Sequence, residues 1–174
     1  CRCELWQDHM EAGCYPDCDM LPLGYLGKGF EEGERTTRFT REEQRTMMTL
    51  WCLFGSPLMV GAELTKLDEW TLSLLTNREI LAMLTPYCRP RQLARDDNRA
   101  VWTCENEKTG ERYAALFNLS DEEGTVSAAL EELGLPEEIS GRELWTGNPA
   151  KTEGGRLSVC LPPHGCAVYR VFSR

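Results

Sequence analysis

The apolar residues of this 174-residue chain change period once, near residue 86, and that one change limits what the chain can fold into. Ahead of it the spacing is helical. Thr40 and Glu43 stand in the T-x-x-E spacing of a capping box, in which hydroxyl and carboxylate each take up an orphan amide at a helix start. Met47, Leu50, Trp51 and Phe54 then fall at i, i+3, i+4 and i+7, which predicts one apolar stripe, and Gly55 ends the helix. "PLMV" follows between Pro57 and Gly61; a short run apolar on both faces predicts a buried parallel strand. "KLDEWTLSLLTNREILAML" returns to helical spacing, with Asp68 as a first cap, Thr76 and Glu79 as a second capping box, and a joint at Asn77. Helix, buried strand, helix is the order found in an α/β barrel or a doubly wound sheet.

Beyond "TPYCRPRQ" (85–92), whose two prolines read as a linker, the period drops to two. The segments "RQLAR", "RAVWTCEN", "RYAALFNL", "GTVSAAL", "GRELW", "RLSVCLP" and "CAVYRVF" predict short strands, with turns such as "SDEEG" and "PPHG" between them. Ala167, Tyr169 and Val171 share one face. Such a set of strands predicts an antiparallel β-sandwich over residues 86–174, with "EELGLPEE" adding a helical turn. The sandwich is long enough to bury a core of its own. Residues 1–85 are too few to close an α/β barrel, which needs about 250.

The formal net charge of −9 disfavours nucleic acid and anionic membrane surfaces and leaves neutral ligands such as sugars open. No run approaches the ~20 apolar residues of a membrane span. The chain opens at Cys1 without a basic-then-apolar leader, so the reading expects a longer parent and takes no compartment from a signal. Nine cysteines (1, 3, 14, 18, 52, 88, 104, 160 and 166) cannot all pair. Cys52 and Cys104 lie inside apolar runs, which suits buried free thiols and favours a reducing, cytoplasmic setting. A zinc site built from Cys1, Cys3, His9, Cys14 and Cys18 is the sharper alternative, but C-x-C and C-x3-C lack paired C-x2-C knuckles.

"CYPDCDMLPLG" (14–24) places Asp17 and Asp19 one residue apart ahead of Met20, Leu21 and Leu23, which anchor the adjoining backbone in a core. A surface turn is one reading. In the other, an extended backbone points both carboxylates the same way, roughly 6.6 Å apart at ~3.3 Å per residue. A glycosidase pair must flank the scissile bond from opposite sides. Parallel carboxylates suit gripping sugar hydroxyls, through hydrogen bonds roughly twice as strong as neutral ones.

"YPDCDMLPLG" resembles the W-x-D-x-D-M-L signature of family 27 glycoside hydrolases, the α-galactosidase and α-N-acetylgalactosaminidase group, with the D-M-L-P-L-G of its bacterial branch. The resemblance continues through "ERTTRFTREEQRTMMTLWCLFGSPLMVGAEL", "LLTNREILAML", "YAALFNLSDEE" and "LPPHGCAVYRV". It implies the last quarter of a (β/α)8 barrel over residues 1–85, with "PLMV" as the eighth strand, followed by a C-terminal antiparallel β-sandwich over 86–174. It implies a retaining hydrolase of terminal α-linked galactose-type sugars, acting through a covalent glycosyl intermediate without metal or organic cofactor. Asp19 matches the aspartate that hydrogen-bonds the sugar and Met20 its neighbour in the pocket. Asp17 matches the first aspartate of the signature, a loop support. Tyr15 stands in the pocket where the family usually has tryptophan; it keeps an aromatic wall, and its hydroxyl alters the rim. The nucleophile and acid/base match nothing here and are expected upstream of Cys1, so the chain alone is expected to be inactive. The parent's oligomeric state is not legible.

Other residues read as structural: Trp6 and His9 in a helix before the loop, His164 closing a hairpin, Trp102 in the core with Ala100 and Cys104, and Asp121–Glu123 in a solvated turn. Trp70 and Trp145 would meet sugars only if exposed. Ser56 has no nearby histidine to make it a nucleophile. The alternative function is a non-catalytic carbohydrate-binding or interaction sandwich, which would show a row of exposed aromatic side chains on one sheet.

Overall fold

The computed structural model describes residues 3–11, 13–28 and 33–173. A short ribbon, β1 (Tyr25–Leu26) and β2 (Arg35–Thr36), precedes helices α1 (Arg41–Phe54), α2 (Glu69–Leu75) and α3 (Arg78–Leu81). Eight strands follow: β3 (Cys88–Arg95), β4 (Arg99–Asn106), β5 (Arg112–Asn118), β6 (Gly124–Ala129), β7 (Ile139–Glu143), β8 (Thr152–Glu153), β9 (Arg156–Leu161) and β10 (Cys166–Ser173). They form an antiparallel five-stranded sheet, β3-β4-β5-β10-β7, and a three-stranded sheet, β6-β9-β8.

The five-stranded sheet is covered on both faces. Ala114, Leu116, Ala167, Tyr169 and Val171 pack against Val126, Ala128, Leu157 and Leu161 of the smaller sheet. From the opposite face Trp102, Tyr113, Ala115, Phe117 and Val168 join a second core with Met48, Cys52, Leu53, Phe54, Leu74 and Ile80 of the helices. This is why "YAALFN" in β5 is buried without interruption, where a strand with one wet face would alternate. Each large side chain so buried contributes about 1.5–3 kcal/mol. The sandwich therefore buries a core of its own, as its length allows, and shares a second with the front segment. Strand β3 begins at Cys88 and runs through Pro90, inside the stretch read as a linker. It is an edge strand, where a residue without an N–H can be accommodated.

Helix α1 begins as its capping box requires: Glu43 N–H donates to Thr40 Oγ1 (3.2 Å) and Thr40 N–H to Glu43 Oε2 (2.7 Å). Gly55, at φ 76°, ends it in the left-handed conformation that glycine adopts without strain. The buried line differs from the predicted stripe. It runs through Gln44, Met48 and Cys52, with Thr49 and Leu53 beside it; of the predicted stripe Phe54 is buried, and Met47, Leu50 and Trp51 are half-buried against the same core. The helix is apolar around much of its girth, and the sheet lies on its Thr46–Thr49 side, where Thr46 Oγ1 donates to His164 O (2.7 Å) and Trp145 Nε1 to Thr49 Oγ1 (2.8 Å). Asp68 caps α2 as expected, accepting from Thr71 N–H (2.7 Å). The cap of α3 is Asn77, not Thr76: Asn77 Oδ1 accepts from Glu79 and Ile80 N–H, while Thr76 Oγ1 bonds back to Leu72 O.

"PLMV" is the largest departure. Leu21 pairs with Val60 in a single parallel bridge, with Leu21 N–H to Met59 O at 2.7 Å and Gly61 N–H to Leu21 O at 2.8 Å. Leu58 and Val60 are only half-buried and Met59 is 44% exposed, because among the described residues only the segment around Leu21 pairs with it. No closed barrel is present among the described residues. No helix among them is long and apolar enough to cross a membrane.

Two polar centres hold the turns. Asn118, 3% exposed, donates from Nδ2 to the carbonyls of Glu122, Leu161 and Pro162, and accepts from Ser120 N–H and Oγ at Oδ1. His164, between β9 and β10, bonds Glu43 Oε1 and Asp121 Oδ1, both at 3.0 Å, and so ties the hairpin to the start of α1. The bond from Thr40 N–H, with further help from the Thr40 hydroxyl and His164, holds the Glu43 carboxyl below its ordinary value of 4.5.

Replacing Asn118 with leucine strands three carbonyls and should cost roughly 2–4 kcal/mol in urea unfolding. Glu43 has the lowered folded-state value, so its contribution is present above pH 4.5 and is lost as pH falls through that lowered value. The stability gap between the parent and Glu43→Ala should accordingly close on acidification, measured by unfolding at stepped pH.

Candidate functional site

The segment from Cys14 to Leu23 is held from its C-terminal end. Leu21 and Leu23 are fully buried and fix the backbone beside α1, as their apolar character demands. Met20 departs from that anchoring role: it is 45% exposed. Ahead of them the loop is tied by side chains from the end of α1. Trp51 Nε1 donates to Asp19 O (2.9 Å), and Cys18 N–H donates to Ser56 Oγ (2.9 Å). Ser56, weighed from the sequence only as a nucleophile, is fully buried and acts as a loop anchor.

Asp19 adopts φ 70°, one of two non-glycine residues with positive φ in the described chain. The left-handed conformation costs an L-residue about 1–2 kcal/mol, least for Asn and Asp, whose short polar side chains bond locally. That is the arrangement here: Asp17 Oδ1 accepts from Asp19 N–H (2.8 Å), and Asp19 Oδ1 accepts from Met20 N–H (2.6 Å). The extended geometry that would aim both carboxylates in parallel is therefore replaced by a turn. Asp17 spends one oxygen inside the loop, and Asp19 keeps Oδ2 without a bond among the described residues. Both are exposed.

A cavity of about 520 Å³ opens beside this loop, lined by Tyr15, Asp17, Cys18, Trp6, His9 and Trp51 among others. It brings Tyr15 (58% exposed) and Asp17 together, while Asp19 and Met20 lie on the exposed surface outside its lining. Trp6 and His9 do not sit on a helix: only a 3₁₀ turn, Cys3–Leu5, forms, and their rings meet edge-on at 6.0 Å. The stretch is too short to repay helix nucleation. It is held to edge strand β3 instead, through Gln92 Nε2 to Glu4 Oε2 and Gln92 N–H to Gln7 Oε1.

All eight cysteines among the described residues are free thiols, and Cys3, Cys52, Cys88, Cys104 and Cys166 are buried. Cys1 of the zinc alternative lies outside the described residues. Among the described ones no three His, Cys, Asp or Glu side chains gather to hold a metal ion. Cys3 and Cys18 meet as a hydrogen-bonded thiol pair, a contact for which the sequence carries no local signal. The Cys3 thiol, with the Ser56 hydroxyl adding to it, lowers Cys18 from 9.0 to about 7, while burial opposes the shift. Cys3 is pushed up by the same contact and by burial.

Comparison with known proteins places this geometry. Residues 96–171 match the alpha galactosidase C-terminal beta sandwich domain. Alpha-galactosidase 2 of Arabidopsis thaliana is 26% identical over 98% of this chain and 41% of its own length, and alpha-galactosidase 3 of the same plant is 29% identical over 90% and 35%. The crystal structure of a GH27 β-L-arabinopyranosidase from Geobacillus stearothermophilus superposes with a TM-score of 0.90 at 40% identity, over 99% of this chain and 40% of that one. A variant of that enzyme was solved in complex with arabinose. The chain thus spans about two fifths of the length of the relatives it matches.

The thiol pair can be tested directly. Iodoacetamide labelling, read by peptide mass spectrometry, should modify Cys18 with a rate that climbs through pH 7, while exposed Cys160, whose thiol is raised by local desolvation and Glu123, lags until higher pH. Cys3→Ala should slow Cys18 labelling at pH 7.

Proposed function

We propose that this chain carries the C-terminal part of a family 27 glycoside hydrolase and that its Cys14–Leu23 loop supplies one wall of a pocket for a terminal galactose-type sugar. The observation that carries the reading is Asp19, a residue in a rare backbone conformation: Asp17 Oδ1 accepts its N–H, the Trp51 indole donates to its carbonyl, and its own carboxylate accepts from Met20 N–H through Oδ1, with Oδ2 left over. Strained residues persist where the surroundings over-determine them, and they cluster at ligand sites. The leftover oxygen accepts from sugar hydroxyls. Met20 follows it on the exposed surface as an apolar neighbour, Tyr15 supplies an aromatic wall of the adjoining cavity, and Asp17 supports the loop. Residues 1–85 are read as a slice of the catalytic barrel, with the Leu21–Val60 bridge as the pairing of its last two strands, and residues 86–174 as the sandwich.

Asp17 and Asp19 do not make a reacting pair. Carboxylates two residues apart on one loop cannot approach a glycosidic bond from opposite sides. The nucleophile and acid/base of the retaining reaction are therefore assigned to residues outside 1–174, and no metal or organic cofactor is needed.

The alternative of a free-standing sugar-binding sandwich required a row of exposed aromatic side chains. Among the described residues the sandwich half exposes Tyr87 and Phe172, on different segments, and Trp102 is buried.

Two assays check the reading. The isolated chain should not turn over a chromogenic α-galactoside, and robust turnover refutes the assignment of the reacting pair. A chimera in which this chain replaces the matching two fifths of the Geobacillus enzyme should be active on an α-galactoside or a β-L-arabinopyranoside. Asp19→Asn in that chimera should lower kcat/KM by roughly 10–100-fold, the worth of a charge-assisted hydrogen bond. Unchanged kcat/KM would remove Asp19 from the pocket.

A further inference from the structure

A second cavity, of about 490 Å³, lies in the mouth of the sandwich, between the loop after β7, strand β9 and the start of α1. The proposed sugar pocket does not use it. Its floor is apolar, with Val159, Leu161 and Ala167; its walls carry Trp145, Ser158, Lys151 and the Tyr169 side chain.

Tyr169 is the informative group. The residue is buried, 5% exposed, yet its hydroxyl is not sealed from the cavity and makes no hydrogen bond to any described residue. Burial, with the Glu143 charge second, pushes it up to about 12, so it stays a neutral O–H. The cavity rim is rigid. Glu143 Oε2 accepts from Trp145 N–H, Thr146 N–H and Thr146 Oγ1, Glu143 Oε1 accepts from Val168 N–H, and the Trp145 indole is pinned to Thr49. Those bonds occupy Glu143 in the loop itself. The side chains of Ser158 and Lys151 make no hydrogen bond or ion pair among the described residues and remain available to a ligand.

The available groups name the ligand class. A phenol and a hydroxyl each donate and accept, as sugar hydroxyls do, and Lys151 adds a donor. The lining holds two carboxylates, Glu42 and Glu143, and two cations, Arg45 and Lys151, with Arg45 paired to Glu42, so its formal charges cancel and favour a neutral ligand. An aromatic wall over an apolar floor suits the C–H face of a ring, and the volume falls within the ~300–1,000 Å³ of small-ligand pockets. We propose that this mouth is a second saccharide site, which binds a neutral pyranose unit through the Tyr169 hydroxyl, away from the Asp19 loop. This goes beyond the pocket proposed above and does not require it.

The test is a galactose titration of the isotope-labelled chain followed by NMR, repeated with raffinose and with glucuronate. The Trp145 indole N–H and the amides of Ser158–Leu161 should shift with galactose or raffinose. Tyr169→Phe should weaken that binding about five-fold, the loss of one neutral hydrogen bond, without lowering Tm, because no protein partner is lost. Asp19→Ala should leave these shifts unchanged, which separates this site from the loop pocket. Absence of shifts at the mouth, equal affinity in Tyr169→Phe, or a lowered Tm in that variant would each overturn the proposal. A response to glucuronate alone would overturn the neutral pyranose.

Discussion

The structure depends on the contact between α1 and the outer face of the five-stranded sheet. A sheet whose strands are apolar on both faces needs two partners. The three-stranded sheet covers one face and the helices the other. At the seam Thr49 Oγ1 receives the Trp145 indole, donates to Arg45 O and touches Cys166 Sγ at 3.4 Å, so one buried hydroxyl joins helix, loop and strand. A buried polar group in this position fixes register, since sliding the helix by a turn would leave the indole N–H without an acceptor.

From that seam a chain of short attachments reaches the loop. The same helix carries Trp51, which bonds Asp19 O, and ends next to Ser56, which bonds Cys18 N–H. The sandwich thus sets the position of α1, α1 sets the backbone at residues 18–19, and the backbone sets the Asp19 carboxylate. A carboxylate held this way loses little side-chain freedom when it meets a ligand, and that raises its contribution to binding over one on a free rotamer. The strain at Asp19, of order 1–2 kcal/mol, is small against the buried Leu21 and Leu23 that follow it.

What could be read in advance divides along local and long-range lines. The caps at Thr40 and Asp68, the stop at Gly55 and the strands of the sandwich follow from neighbours within a few residues, and the structure has them. The family resemblance rested on residues of the same local kind. The misread features all depend on distant partners. Pro90 sits in a strand because β3 is an edge. The buried line of α1 was displaced from the Met47–Phe54 stripe because an apolar helix does not announce which side its sheet will take. Asn77 displaced Thr76 as a cap because Thr76 stayed in the preceding turn. At the site, Asp17 and Asp19 were legible as polar residues beside a core, but the turn between them depends on Trp51 and Ser56, more than 30 residues away.

The shared core also explains why the sandwich stays joined to the front segment. Trp102, Tyr113 and Phe117 project from the outer sheet face into the helices. Without residues 1–85 they would form an apolar patch in water, of the kind a soluble domain does not tolerate alone. The front segment is no more independent, since its one parallel bridge leaves "PLMV" half-covered and its helices need the sheet to bury Met48, Cys52 and Phe54. His164 shows how closely the two are fitted: its ring spans Glu43 at the cap of α1 and Asp121 on the β5–β6 turn, and its carbonyl accepts from Thr46. A hairpin that closes on the start of a helix this way holds the helix axis, and every group that hangs from the far end of that axis inherits its position.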